Sequence, residues 1–212
     1  QVVGYHFFPP RRGSSVANYT GPYAQLLEKL GHTPYEHQAT SLAHTATGKD
    51  VVVATATASG KSLAFQLPVL SALAEGRTAL LLYPTKALAN DQLLRLRQLA
   101  EQLGVTTDAA PLVATYDGDT TTARRAAVRE HGRVVLTNPD MLHYGVLPHH
   151  TQWARFLSSL DLLVLDELHA YRGVLGSHVA NVVRRLLRIA RGYGADPRVI
   201  AASATIGNPA EH

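Results

Sequence analysis

The stretch Val51-Val52-Val53-Ala54-Thr55-Ala56-Thr57-Ala58-Ser59-Gly60-Lys61-Ser62-Leu63-Ala64-Phe65 decides the fold. It opens on four apolar residues, passes through small ones and turns helical at Lys61. Five further apolar runs of strand length follow, at 79–83, 112–116, 134–137, 162–165 and 199–203. Continuous rather than alternating apolar runs mark strands buried on both faces. Helical periodicity fills the intervals and predicts helices over 61–75, 87–103, 121–130, 151–157 and 177–191, with two more upstream at 24–30 and 35–45. Strand and helix in alternation require right-handed crossovers and a parallel sheet. The expected fold class is therefore α/β, three layers with a mostly parallel central sheet flanked by helices. In such sheets ligands bind beyond the carboxyl ends of the strands. Pro68 falls inside the helix after the first strand, where an interior proline costs about 3 kcal/mol, so a kink or a short first segment is expected.

Composition narrows the classes. The chain has 212 residues, 46% hydrophobic and 17% charged, which suits one globular domain and excludes disorder as its main state. No apolar run approaches the ~18–20 residues of a membrane span, so no membrane partner is expected. Cysteine is absent, which excludes disulfides, thiol catalysis and Cys-ligated metal clusters here. The eleven histidines include His149-His150 but no His-Glu-x-x-His spacing, and read as loop residues. The net charge of +4 permits a phosphate-rich partner without demanding one. Residues 1–20 read as an irregular arm with Pro9-Pro10 and Gly13-Ser14-Ser15, and 21–212 as the domain. The start, Gln1-Val2-Val3-Gly4, has neither a Met nor the charged and apolar regions of a secretory leader. The expectations are a chain beginning inside a longer polypeptide, and a cytoplasmic location in the bacterial cytosol or nucleoid.

Two motifs carry chemistry. In Thr55–Ser62 the small residues allow the backbone to wrap a phosphate with inward N–H groups, and the following helix directs its positive end at the same charge. Lys61 is placed to bridge nucleotide β- and γ-phosphates and the Ser62 hydroxyl to ligate Mg²⁺. The pair Asp166-Glu167 follows Leu162-Leu163-Val164-Leu165. Beside a phosphate loop, Asp166 is placed to hold Mg²⁺ and Glu167 to orient or deprotonate the attacking water. Taken alone the two acids fit a helix N-cap equally well.

In Gly60-Lys61-Ser62 and Asp166-Glu167-Leu168-His169 the chain resembles motifs I and II of superfamily 2 helicases of DEAD/DEAH type. Pro84-Thr85-Lys86-Ala87-Leu88-Ala89 resembles motif Ia, Thr137-Asn138-Pro139-Asp140-Met141-Leu142 a further nucleic-acid-contacting motif, and Ser203-Ala204-Thr205 motif III. Gln38 matches the adenine-reading glutamine of the Q motif. Thr57–Leu63, Asp91-Gln92, Tyr116-Asp117-Gly118-Asp119-Thr120 and Ser203–Pro209 look like the SftH/MrfA group, bacterial relatives of yeast Hrq-type 3′→5′ DNA helicases. Ala58 stands where DEAD-box proteins commonly have Gly.

The resemblance implies an N-terminal RecA-like lobe, and ATP and Mg²⁺ as cofactors. Single-stranded or duplex DNA is the implied partner, in a repair helicase that translocates and unwinds. It implies catalytic roles for Lys61, Asp166, Glu167 and His169, and nucleotide contacts from Tyr35, Gln38, Thr55, Ala56, Thr57, Ala58, Ser59, Gly60, Lys61 and Ser62. Thr85, Lys86, Gly118, Asp119, Thr137 and Asn138 would touch nucleic acid, and Ser203, Ala204 and Thr205 would couple nucleotide state to a second lobe. That lobe, its arginine finger and the C-terminal region lie outside this sequence, which implies little hydrolysis by the chain alone.

Physical chemistry keeps other readings open. Thr85 and Asn138 also suit helix caps, and 116–120 a plain turn. Arg184, Arg188 and Arg191 share one face of the last helix, read as solvated or docked on another domain; Arg124, Arg125 and Arg129 read the same way. An RNA remodeller with the same lobe, or an ATP-gated binding module without turnover, remain alternatives. A small-molecule kinase leaves Pro84-Thr85-Lys86 and Ser203-Ala204-Thr205 unexplained.

Overall fold

The computed structural model describes residues 14–55, 59–105 and 110–204. Six strands pair in parallel throughout: β1 (Val51–Ala54), β2 (Thr78–Leu82), β3 (Val113–Thr115), β4 (Val134–Thr137), β5 (Leu160–Leu165) and β6 (Arg198–Ser203). Their order across the sheet is β1-β6-β5-β2-β4-β3. Alternate residues of each strand feed opposite layers, as the two-residue period of a strand demands. Leu80 and Leu82 of β2 join Leu163 and Leu165 on one face, while Ala79 and Leu81 join Leu162 and Val164 on the other.

The second face is covered by α3 (Leu63–Ala74) and α4 (Lys86–Gln102). Nine residues of α3 are buried, because α2 (Glu36–Ala46) packs on its outer side, where Leu42 meets Leu67; α1 (Ala24–Lys29) adds Leu27 to that cluster. The helix runs through Pro68 from Leu63 to Ala74 as one segment, where the sequence suggested a kink or a short first segment. Close packing on both sides holds it there. The first face is covered by α5 (Thr122–His131), α7 (Ala154–Ser158) and α8 (Gly173–Gly192). In α8 Val179, Val182, Leu186 and Ala190 are buried, a spacing of three to four that puts one stripe on the sheet.

Among the boundaries that differ from the sequence reading, three have a clear physical reason. Strand β5 starts two residues early, at Leu160, because the polar Asp161 that interrupts the apolar pattern is satisfied within the sheet edge: Arg77 donates to it at 2.6 Å and Arg198 pairs with it too. Helix α8 starts at Gly173, ahead of its amphipathic stripe, and leaves Val174 90% exposed. The helix expected at 151–157 is α7 alone, preceded by a helical turn α6 (Pro139–Met141), a π-helical turn (Leu142–Val146) and a 3₁₀ stretch (Leu147–Trp153). The large rings rather than helix periodicity set this path: buried Trp153 meets Tyr116 edge-on at 4.8 Å and Phe156 at 5.7 Å. Within the arm, Ser15 bridges Tyr35 antiparallel, and Glu36 N donates to Ser14 O.

Candidate functional site

The strand order gathers the motif residues on one edge. β1, β6 and β5 are neighbours, so the residues after their carboxyl ends converge: Thr55, Ser203-Ala204 and Asp166-Glu167. β2, β4 and β3 form the other half, and deliver Thr85-Lys86, Asn138 and Gly118-Asp119 to the same edge.

In the first half the loop after β1 is tied at several points. Thr55 N donates to Ser203 O at 3.4 Å, and the hydroxyls of Thr55 and Ser59 lie 2.6 Å apart. Lys61 Nζ reaches Thr55 O at 3.5 Å, and Ser62 precedes the first residue of α3. Gly60 adopts φ +79°, a left-handed conformation that Cβ-bearing residues avoid. Gln38, only 3% exposed, donates from Nε2 to Gly60 O at 2.7 Å while its Oε1 accepts from Tyr35 N at 2.8 Å. Both ends of this amide are therefore engaged in holding the loop against the start of α2. Ala56, Thr57, Ala58 and Thr205 lie outside the described residues.

The acidic pair follows β5, across β6 from this loop. Asp166 is 7% exposed; its N–H donates to Leu82 O at 3.0 Å and its Oδ1 accepts from Glu167 N at 2.8 Å. Burial pushes its carboxyl up from 3.8 to about 6; the hydrogen bond from Glu167 N opposes the rise, the Glu167 charge adds to it, and Lys61 and His169 oppose it. Glu167 has φ +52°, a strained backbone of the kind concentrated at functional sites. Its Oε2 lies 3.2 Å from His169 Nδ1. That nitrogen is also 3.3 Å from Ala204 N and 3.5 Å from Ser203 Oγ. One imidazole thus joins the acidic pair to the end of β6.

In the second half the capping alternatives are realised. Thr85 Oγ1 accepts from Leu88 N at 3.4 Å, and Asn138 Oδ1 from Met141 N at 2.8 Å. Thr137 is 2% exposed and its hydroxyl donates to Tyr116 O at 2.6 Å, so it ties β4 to the chain leaving β3. Lys86 Nζ pairs with Asp119 Oδ2 at 2.7 Å, which brings two of the expected nucleic-acid residues onto each other. Residues 116–120 form a turn closed by Asp117 Oδ1, which accepts from Asp119 N and Thr120 N at 2.9 and 3.0 Å. Arg125 donates to Asp117 O at 2.9 Å, and Arg129 reaches Tyr116 Oη at 3.4 Å. The reading of these two arginines as solvated is corrected: both brace the turn.

Two features escape sequence reasoning. His37 is 8% exposed, stacks on Tyr35 at 5.9 Å and bonds the Ser59 backbone; burial lowers its imidazole pKa. Tyr83 and Tyr171 are buried with hydroxyls that have no partner among the described residues, and both are raised by burial first and by the charge of Asp166 second. Apolar packing patterns give no sign of either; only the sheet order brings them to the site. Among the described residues no group of three His, Cys, Asp or Glu gathers into a metal cage, and no helix is long and apolar enough to cross a membrane.

Comparison with known proteins agrees with this arrangement. A profile of the DEAD/DEAH box helicase family matches residues 35–212. The chain is 51% identical over 216 residues to the ATP-dependent helicase YprA of Bacillus subtilis, covering 99% of this chain and 28% of that protein. It is 42% identical over 182 residues to the ATP-dependent helicase HRQ1 of Saccharomyces cerevisiae, covering 84% and 17%. The solved DUF1998 helicase MrfA bound to DNA and AMPPNP superposes with a TM-score of 0.87 at 45% identity, over 99% of this chain and 30% of that one. The chain thus spans less than a third of the length of these relatives. A parallel sheet with a phosphate-type loop after β1 and an acidic pair after β5, two strands flanking β6, and this profile match, together establish that the chain belongs to the DEAD/DEAH box helicase family.

Proposed function

We propose that this chain is the nucleotide-binding RecA-like lobe, residues 21–212 behind an arm at 1–20, of a cytosolic ATP-dependent DNA helicase that serves DNA repair. The observation that carries the reading is the split edge: residues suited to phosphates and metal end three adjacent strands, and residues suited to a nucleic-acid backbone end the other three. Similarity to a helicase solved with DNA and AMPPNP supports both halves.

In this reading the loop Thr55–Ser62 holds the ATP phosphates, with Lys61 supplying positive charge, and Tyr35 and Gln38 meet the adenine once the Gln38 amide exchanges Gly60 O and Tyr35 N for the base. The donor set fits Mg²⁺, a hard cation, because Asp166 offers a buried carboxylate and Ser62 a hydroxyl oxygen. Ser62 and Asp166 would hold it, and when bound it supplies positive charge to the developing phosphate oxygens. Glu167 accepts the proton of the attacking water, oriented by its contact with His169. His169 also touches Ser203 and Ala204, which gives these residues, with Thr205, a physical means of reporting the nucleotide state. Thr85, Lys86, Gly118, Asp119 and Asn138 bound the tracking groove, Thr137 supports it from within the sheet through its bond to Tyr116 O, and Lys86 exchanges Asp119 for a phosphate when a strand enters. A second lobe and a C-terminal region elsewhere in the polypeptide complete the motor.

The test uses the full polypeptide. Lys61→Ala should abolish hydrolysis and unwinding without lowering thermal stability, since among the described residues its ammonium makes one hydrogen bond, of 3.5 Å. Glu167→Gln should lower kcat with little change in KM and should trap ATP on single-stranded DNA. Turnover by Glu167→Gln near the parent rate refutes the assignment, and equal unwinding of RNA duplexes replaces DNA by RNA.

A further inference from the structure

The outer face of α8 holds an unassigned cavity of about 340 Å³. Arg184, Arg185 and Arg188 line it together with His178 and Asn181, and His143 of the π-helical turn forms the opposite wall. The arginines of this cavity differ from the others described above. Arg77, Arg125, Arg129, Arg191 and Arg198 all have a carboxylate, carbonyl or hydroxyl partner. Arg185 and Arg188 have none among the described residues, and Arg184 reaches only Asn181 Oδ1 at 3.3 Å. His143 Nδ1 is buried without a partner as well. The single acid nearby is Asp140, a largely exposed carboxylate at the rim, 4.0 Å from His178 Nε2. Three guanidinium groups around one cavity, two of them on exposed residues, concentrate positive charge there, and their planar forks match phosphate oxygens.

The surroundings favour a nucleic-acid strand over other anions. The wall residue His143 belongs to the turn that continues directly from the Asn138 cap through Asp140, so the cavity opens beside the second half of the sheet edge. Next to it Tyr144 is 70% exposed, with its ring 4.5 Å from His143. Cations tracking a backbone beside an exposed aromatic ring are the pattern of single-strand binding, where a base stacks on the ring. We propose that this cavity is a second phosphate contact for the single strand, which it holds after the strand has passed Asn138, with Tyr144 stacking on an unpaired base. The proposal rests on the reading that the edge at Thr85, Lys86 and Asn138 carries a strand, and gives Arg184 and Arg188, both exposed, a role beyond a solvated or docked face.

The experiment measures binding by fluorescence anisotropy in the full polypeptide without nucleotide. The probes are a strand of roughly 6 nucleotides, one of roughly 20, and a blunt duplex, each across a salt series. With Arg184, Arg185 and Arg188 all replaced by Ala, the long strand should bind more weakly, and its salt slope should fall by about 2. Between roughly 50 and 200 mM salt the parent should then lose about fifteenfold more affinity than the variant, while the short strand is unaffected. Tyr144→Leu, which removes the ring but no charge, should weaken the long strand several-fold with the salt slope unchanged. An unchanged affinity and slope for the long strand overturns the proposal. So does a loss confined to the blunt duplex. A fall in thermal stability with strand binding intact also overturns it, and makes an acidic segment of protein the occupant. Lys86→Ala separates the two readings: if the short strand still binds as tightly, the edge reading fails, whereas the cavity is judged by the long strand alone.

Discussion

Asp166→Asn should stabilise the fold while destroying the function. Asp166 is 7% exposed, and burial raises its carboxyl from 3.8 to about 6. The folded state therefore binds this proton more tightly than the unfolded state, and stability falls as pH rises between those two values. At about 1.4 kcal/mol per pH unit, holding the charge inside the fold costs about 3 kcal/mol at every pH above 6. Below pH 3.8 the acid is neutral in both states and the cost vanishes. Asparagine imitates the neutral acid, so the variant should exceed the parent by about 3 kcal/mol at pH 8 and by nothing near pH 3.5. For a domain of this size that is roughly 6–12 °C in Tm at the higher pH. Solvent screening lowers the figure little, because the carboxylate is almost wholly enclosed. The assay is urea or thermal unfolding of both proteins across this pH range without divalent cations, and the difference between them cancels every other titrating group. Added Mg²⁺ and nucleotide should stabilise the parent and not the variant. A variant less stable than the parent at pH 8, or a difference that does not vary with pH, refutes the reasoning: Asp166 would then be a structural cap whose hydrogen bond to Glu167 N outweighs its burial.

Gly60→Ala forces φ +79° on a residue with a Cβ and sets that atom 2.7 Å from Gln38 Nε2, so it should cost about 1–3 kcal/mol and weaken nucleotide binding; calorimetric titration with and without Gln38→Ala separates the clash from the backbone strain. Trp153→Ala empties a fully buried site against Tyr116 and Phe156 and should cost about 3–5 kcal/mol in urea unfolding. Trp153→Phe should cost less, since the indole Nε1 has no partner to lose. His169→Ala removes the contact between Glu167 and the end of β6, and should leave nucleotide affinity unchanged while lowering the ratio of DNA-stimulated to basal hydrolysis.

Sequence patterns revealed those features whose cause is local. The six apolar runs are the six strands, because a strand covered on both faces has no polar positions to confuse the pattern, and β1 and β4 have the predicted bounds. The loop that opens α3 is local in the same way: Gly60, Lys61 and Ser62 lie within one turn of chain. What periodicity missed lies where polar groups are satisfied from a distance. Asp161 could not be read as a strand residue without Arg77 and Arg198, which lie 84 and 37 positions away. Nor could the path from Asn138 to Ser158 be read from a helical repeat, since it follows the packing of Trp153.

The candidate site divides along the same line. By itself the sequence determined which chemistry each loop carries: small residues with Lys61 and Ser62 after one strand, two acids after another, capping hydroxyls and amides after the rest. Only the tertiary structure decided that these loops meet. Strand order is a long-range outcome of sheet pairing, and it is the insertion of β6 between β1 and β5 that puts His169 against Ala204 and Thr55 against Ser203. It also settled charge. Nothing in the sequence separates an arginine that braces a turn, such as Arg125, from one left unpaired in a cavity, such as Arg188. The difference is which carbonyls and carboxylates the folded chain brings within a few ångströms, and that distance exists only in three dimensions.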